Sequence, residues 1–190
     1  MRWPSIILIM LLAGSLHAEP RHYVIDPQHL TIGFLVGHVG FAKVFGRFTE
    51  AEGTFDFDET TGKLSNVRVV VKTASVDTTV EPRDRHLRSA DFLNVEEYPE
   101  MTFVSEGTVL TGGKGELRGN LTLIGVTRPI SLDVAWNRSA VSPLPGNPYV
   151  VGLSARGSFD RSDYGMSYGL ADGLVGDEVE LIIELEAQRK

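Results

Sequence analysis

Cysteine is absent from this chain of 190 residues, which excludes disulfides, thiolate nucleophiles and cysteine-ligated zinc sites. The five histidines show no spacing typical of metal ligands, and no serine lies in a Gly-x-Ser-x-Gly elbow. The glycine-rich segment 112–115 lies between two apolar alternating runs, as a hairpin turn does, and not in a phosphate-binding loop. The sequence therefore predicts no metal, no cofactor and no catalytic residue.

A block of basic residues is also absent. Lysine and arginine number 18 against 25 acidic residues, so the formal net charge is −7. Such a chain is a poor candidate for binding nucleic acid or anionic surfaces through long-range attraction. No nucleic-acid partner is expected.

Long apolar runs are confined to the first 18 residues. Arg2 precedes an uninterrupted apolar run at 6–13, and small residues lead to Ala18. This layout is typical of a secretory signal peptide and is too short to span a membrane. The sequence predicts a signal peptide over 1–18, one domain over 19–190, no transmembrane span and a periplasmic location.

Alternation of apolar and polar residues with a period of two dominates the chain after residue 19. This period is typical of half-buried β-strands, and turn residues such as those at 58–62 and 143–148 separate the runs. About eight strands with short links indicate an antiparallel barrel or sandwich. Closure into a barrel is favoured because it removes exposed sheet edges.

The segment 83–94 departs from this alternation. Leu87, Ala90 and Leu93 are spaced like the apolar face of a helix, and Pro82 suits a first helical turn. A short helix lying across one barrel end is therefore expected, with a coiled loop as the alternative.

The cluster Arg83-Asp84-Arg85-His86 opens this segment and allows three interpretations. Charged residues can cap a helix start, where Asp84 is favoured by the helix dipole. Alternatively, an arginine neutralises the head group of a ligand at a cavity mouth. A third hypothesis is an enzyme of unknown reaction that uses His86 with Asp84 and Arg83.

Five blocks follow one another along the chain: "YVIDPQHLTIGFLVGHVGFAKVFGRF" (23–48), "SVDTTVEPRDRHLRSADFLNVEEYPEMTF" (75–103), "GNLTLIGVTRPISLDV" (119–134), "FDRSDYGM" (159–166) and "VGDEVELIIELEA" (175–187). In this order they resemble the YceI family of exported, lipocalin-like lipid-binding proteins. The resemblance implies an all-β fold, an eight-stranded antiparallel lipocalin-like barrel with a short helix capping one end. It also implies a bore that holds a polyprenyl phosphate, a quinone tail, a fatty-acid derivative or a similar amphiphile.

Strand parity, together with this resemblance, predicts the residues that line the bore. They are the apolar residues on alternating strand faces, those of the helical cap and two in loops: Ile32, Phe34, Val36, Phe41, Val69, Val71, Leu87, Phe92, Leu93, Phe103, Leu121, Leu123, Leu132, Val134, Leu153, Phe159, Met166, Leu181 and Ile183. Three residues are candidates for contact with the polar head group: Arg83, His86 and His38. An error of one residue in register would turn a whole strand's set outward.

Two questions stay open at this point. Glycines within strands, such as Gly46 and Gly119, either open a cavity or let strands bend. A solidly packed barrel that acts as a stress-response or interaction module is therefore the alternative to a lipid carrier. The final acidic strand "EVELIIELEAQ" is either a solvated edge or part of a homodimer interface, since Ile182 interrupts its polar face.

Overall fold

The computed structural model describes residues 19–190, so the predicted signal peptide lies outside the described residues. These residues form ten strands and one α-helix. The strands are β1 (Arg21–His38), β2 (Ala42–Phe48), β3 (Ala51–Asp58), β4 (Lys63–Lys72), β5 (Val76–Asp77), β6 (Glu100–Val109), β7 (Lys114–Leu123), β8 (Val126–Val141), β9 (Tyr149–Asp160) and β10 (Val175–Arg189). Helix α1 (Glu81–Arg88) follows β5, and two short 3-10 helices span Thr73–Ser75 and Arg161–Tyr164.

Ten strands make an eight-stranded barrel because two pairs of them act as single strands. β2 and β3 both run antiparallel to the long strand β1, β2 along 32–38 and β3 along 21–24. β4 and β5 similarly follow one another beside β3 and β2. The order β10-β9-β8-β7-β6-β4-β3-β1 closes when β1 pairs with β10. The predicted antiparallel barrel with one capping helix is confirmed.

Closure leaves the C-terminal strand without a free edge. β10 pairs with β9 on one side and with β1 on the other, from Tyr23 opposite Arg189 to Val36 opposite Val179 and beyond. The interpretation of this strand as a solvated edge is therefore wrong. A dimer contact through its outer face stays a prediction.

The helix is shorter than the sequence predicted. It ends at Arg88, and Ser89 is extended, with its N–H bonded to the carbonyl of His86. The chain then turns back, since the N–H of Leu93 bonds to the carbonyl of Leu87 at 3.0 Å. Leu87 and Leu93 consequently face the same interior without a continuous helix, whereas Ala90 is exposed on the turn and the helical assignment beyond Arg88 is corrected.

Aromatic rings cover two of the strand glycines. A side chain at Gly46 would meet the ring of Phe34 at 2.3 Å, and one at Gly119 would meet Phe103 at the same distance. These glycines accommodate neighbouring rings against the sheet. The sequence left open whether such glycines open a cavity or let strands bend. At these two positions the space left by the missing side chain is instead filled by phenylalanine.

Candidate ligand-binding cavity

A cavity of about 490 Å³ runs through the barrel interior. Its size lies within the range of about 300–1,000 Å³ typical of small-molecule sites. The wall is almost entirely apolar, and all ten strands contribute to it, the two-residue strand β5 through Val76. Inward side chains repeat at every second residue because strands expose alternate residues to one face.

One end of the barrel, hereafter the closed end, is sealed by aromatic residues. Tyr23 is fully buried and stacks on Phe55 with ring centroids 5.5 Å apart. Phe57 meets Trp136 edge to face at 5.0 Å. The hydroxyl groups of Tyr23 and Tyr149 donate to the two carboxylate oxygens of Glu59, each at 2.9 Å.

Helix α1 lies over the other end, hereafter the open end, and is fixed by polar contacts. The buried carboxylate of Asp84 accepts a bond from the N–H of Thr78 at 2.8 Å and another from its hydroxyl. Arg83 donates through Nε to the Thr78 hydroxyl at 2.7 Å and through Nη2 to the Thr78 carbonyl at 2.9 Å. Arg88 donates to the carbonyls of Ala74 and Val76. The start of α1 has no side-chain cap, so Asp84 anchors the helix to Thr78 instead of capping it, and a head-group contact of Arg83 stays a prediction.

An aromatic cluster joins the helix to the loop that follows β9. The ring of His86 lies 5.0 Å from that of Phe92 and 4.7 Å from that of Tyr168, edge to face in both cases. His86 Nε2 also lies 2.9 Å from Asp91 Oδ2 at the surface. These contacts position His86 at the rim of the cavity, which its side chain helps to line.

Arg161 adds a buried cation to this rim. Its guanidinium donates to four backbone carbonyls, those of Gly176, Met166, Tyr168 and Val175, at 2.7–3.0 Å. Desolvation lowers its pKa, and the charge of Asp177 opposes that change. An arginine keeps its proton even so, and Arg161 therefore places a positive charge beside the cavity.

Apart from Tyr168, the ionisable side chains that line the cavity, among the described residues, are all basic: His38, Arg83, His86 and Arg161. No carboxylate lines the cavity within residues 19–190. This local balance is opposite to the net charge of the chain, which is −7. The open end thus offers hydrogen-bond donors and positive charge to whatever polar group lies above the apolar bore.

The structure places nearly all the predicted wall residues on the cavity surface. All the predicted strand residues lie there, as do Leu87, Phe92, Leu93 and Met166, and the head-group candidates His38, Arg83 and His86. Phe41 is the exception. Its side chain is 91% exposed and lies outside the cavity, because the turn after β1 directs it to solvent. The placement of Phe41 at the cavity mouth is corrected.

Sequence reasoning missed several cavity residues. Arg161, Tyr168 and Leu174 reach the rim from the segment after β9, which has no strand periodicity. The block "FDRSDYGM" contained a signal for Arg161, a basic residue directly after an apolar strand. Phe55 and Met101 also line the bore. The alternation in their strands was used for the prediction, but these two residues were not among the predicted wall residues.

The pair required by the enzyme hypothesis does not form. Asp84 binds Thr78, and His86 is paired with Asp91 instead. No group of three or more potential metal ligands occurs within residues 19–190. In the same residues, no helix has the length and apolar character needed to cross a membrane.

A closed antiparallel barrel with an apolar cavity, one sealed end and one end covered by a short helix defines a lipocalin-like ligand-binding barrel. The YceI-like domain family matches residues 23–187, which is most of the chain. The chain belongs to the YceI family.

Two bacterial relatives extend over nearly the whole sequence. A UPF0312 protein of Pectobacterium atrosepticum is 38% identical over 188 residues, covering 98% of this chain and 96% of the relative. A protein YceI of Salmonella arizonae is 38% identical over 184 residues, covering 96% and 93%. The likeness thus includes the segment before the barrel.

Solved structures with the same fold include three bacterial proteins. The Campylobacter jejuni YceI protein is 30% identical, with a TM-score of 0.71 and coverage of 81% of this chain and 90% of that one. BcnA of Burkholderia cenocepacia, 18% identical, gives a TM-score of 0.75 with coverage of 85% and 98%. A polyisoprenoid-binding domain from Saccharophagus degradans, 14% identical, gives 0.66 with coverage of 90% and 100%. The last two share the fold.

Proposed function

We propose that this protein is a carrier or sequestering protein for an isoprenoid-type amphiphile. The observation that carries the proposal is the apolar cavity, which has four basic lining residues at the open end and no carboxylate in its wall among the described residues. The apolar chain of the ligand occupies the bore, and its polar group lies at the rim. The shared fold with a polyisoprenoid-binding domain supports the same ligand class.

Burial of the chain provides the binding free energy. Each methylene removed from water contributes roughly 0.8 kcal/mol, so several isoprene units bind strongly without specific hydrogen bonds. A packed barrel of the alternative kind has no room for such a chain. The cavity of about 490 Å³ therefore favours the carrier over a solid interaction module.

The basic rim favours ligands with an anionic head group, such as a polyprenyl phosphate or a fatty acid. Arg83 is held at the rim by Thr78 and keeps donor groups close to the cavity. Charge-assisted hydrogen bonds are about twice as strong as neutral ones. A cationic amphiphile would meet repulsion at the same position.

Native mass spectrometry tests the carrier proposal. The protein lacking residues 1–18 is purified without detergent, and bound species are released by solvent and identified. An isoprenoid or quinone bound one to one supports the proposal. A well-folded protein that arrives empty and also takes up no added polyprenyl phosphate, quinone or fatty acid contradicts it.

A chain-matched pair of ligands tests the head group separately. Geranylgeranyl phosphate should bind more tightly than geranylgeraniol, and Arg83→Gln should weaken binding of the phosphate by about tenfold more than binding of the alcohol. Arg85→Gln is the matched control, since Arg85 lies on the same helix, is exposed and lies outside the cavity wall. Equal affinity of the wild type for both ligands would reject the anionic head group and leave the carrier proposal intact.

Export is the other part of the proposal. The charged start, apolar run and small residues over 1–18 support cleavage after Ala18 and a periplasmic location. Fractionation of cells that express the full chain, with N-terminal sequencing of the product, tests it. A periplasmic protein that begins at Glu19 is expected, and an uncleaved cytoplasmic protein would contradict it.

A further inference from the structure

Two apolar loops project from the open end of the barrel. The first is the turn between β1 and β2, with Val39 and Phe41, and the second follows β9 and contains Leu174. All three side chains are exposed, Phe41 the most at 91%. The N–H of Val39 bonds to the carbonyl of Leu174 at 3.0 Å, so the loops form one surface, here called the apolar tip.

Folding alone does not account for the apolar tip. Val39 has a φ of +51°, a conformation that is strained for a β-branched residue. Phe41 contributes no packing to the core, since its side chain is almost wholly in water. Strain and exposure of this kind in one place indicate a function for the surface.

The apolar tip continues into the cavity. Leu174 is exposed at the tip and also lines the cavity, as does His38, the last residue of β1. A chain leaving the bore past Leu174 therefore meets the apolar tip directly. Lys43, which follows the first turn, is paired with Glu180, and Asp172 lies in the second loop close to Leu174. The tip therefore offers apolar side chains and not a positive charge to the surface it meets.

We propose that the apolar tip docks on a phospholipid bilayer, so that the amphiphile passes between the bilayer and the cavity at the open end. The inference rests on the proposed function for its ligand, and it adds the surface from which the ligand is taken. Phe41 and Val39 insert into the interfacial region, and Leu174 forms the edge over which the chain slides. Insertion of apolar side chains predicts weak dependence on salt, in contrast to electrostatic attachment.

Flotation with vesicles of phosphatidylethanolamine and phosphatidylglycerol tests the docking surface. Phe41→Ala is expected to reduce the vesicle-bound fraction by about tenfold, because burial of a phenylalanine side chain is lost. The matched control is Leu144→Ala, since Leu144 is also exposed, at 52%, in the β8–β9 loop at the closed end. This control is expected to bind vesicles like the wild type.

A second variant reports the insertion itself. Phe41→Trp should retain vesicle binding. Its emission should shift to the blue on vesicles of phosphatidylethanolamine and phosphatidylglycerol, and also on vesicles of phosphatidylcholine alone. The proposal is overturned if the wild type does not float with vesicles. It is also overturned if Phe41→Ala and Leu144→Ala lose vesicle binding equally. A dimer in sedimentation that Phe41→Ala dissociates without any vesicle binding would overturn it too and would assign the tip to a second copy of the chain.

Uptake of geranylgeranyl phosphate from an ethanol stock separates this proposal from the function. Phe41→Ala should retain equilibrium uptake in the absence of vesicles and lose only the rate of transfer from vesicles. Uptake that is absent in every variant would contradict the carrier function. Normal uptake without vesicle docking would contradict the apolar tip alone.

Discussion

The two ends of this barrel are closed by different physical means. At the closed end, rings of Tyr23, Phe57 and Trp136 fill the interior, and two tyrosine hydroxyl groups share the carboxylate of Glu59. At the open end, a helix of eight residues lies over the bore and is held mainly by contacts to Thr78 and to neighbouring carbonyls.

The difference indicates which end moves. Close-packed aromatic residues stabilise the fold and cannot separate without exposing a large apolar area. A short segment held by a few hydrogen bonds opens locally at a much smaller free-energy cost. Ligand exchange is therefore expected at the helix, and the closed end acts as the floor of the cavity.

The largest difference between the ends is expected in stability. Tyr23→Ala removes a fully buried ring and should lower the free energy of unfolding by about 3–5 kcal/mol. Tyr168→Ala, at the exposed rim of the open end, should lower it by less than about 1 kcal/mol. Urea denaturation measures both, and equal losses would contradict the division between floor and lid.

Filling the bore is expected to abolish ligand binding with little loss of stability. Ala155 is a small residue on the cavity wall, so Ala155→Trp places a large ring where several ligand methylenes would lie. We expect affinity for geranylgeranyl phosphate to fall by about a hundredfold. Ala135→Trp is the control, because Ala135 lies on β8 between two inward residues and outside the cavity wall. Equal affinities for the two variants would contradict the cavity as the site.

Loosening the helix is expected to have a moderate and local effect. Asp84→Ala leaves the buried N–H and hydroxyl of Thr78 without an acceptor, which costs about 1–3 kcal/mol. Amide exchange over 81–88 and ligand dissociation should both accelerate by about tenfold. Glu81→Ala, an exposed residue of the same helix, should change neither rate measurably. Acceleration of exchange at the closed end as well would argue for global destabilisation.

The smallest expected effect is a loss of stability at alkaline pH to which the closed end contributes. Burial and the hydrogen bond to Glu59 raise the pKa of Tyr23 above its ordinary value of about 10. Above that pH the unfolded chain loses the proton while the folded chain keeps it, so stability falls as pH rises.

Tyr23→Phe should reduce this alkaline slope without removing it, because burial also raises the pKa of Tyr164 to about 12. Tyr168→Phe at the open end is the control. Urea denaturation across the alkaline range provides the comparison, and a steeper slope for Tyr23→Phe would contradict the assignment.

Alternation along the strands, together with the family resemblance that implied a bore, was enough to predict most of its wall. Ile32, Phe34 and Val36, for example, are three successive inward positions of β1, and the barrel turns all of them to the cavity. The alternation of side chains between the two faces is a property of each strand by itself, so it holds for any order of the strands in the sheet.

Residues in the loops could not be predicted in the same way. Phe41 was expected at the mouth but points to solvent, and Arg161 contributes to the rim although only its sequence block was noticed. Their positions depend on bonds between distant segments, such as those from Arg161 to the carbonyls of Tyr168 and Val175. The enzyme hypothesis paired His86 with Asp84. In the structure His86 is paired with Asp91 instead, because the turn after Arg88 brings Asp91 back to His86.

Trp136 provides the most direct measurement of the central claim, that the ligand chain enters at the open end and points to the closed end. A chain without residues 1–18 has Trp136 as its single tryptophan, and the residue lies at the floor beside Phe57. Bound lipid brominated at the chain terminus should quench its fluorescence strongly, whereas lipid brominated next to the head group should quench it weakly. Stronger quenching by the head-group bromine, or none by either lipid at saturation, would contradict the account.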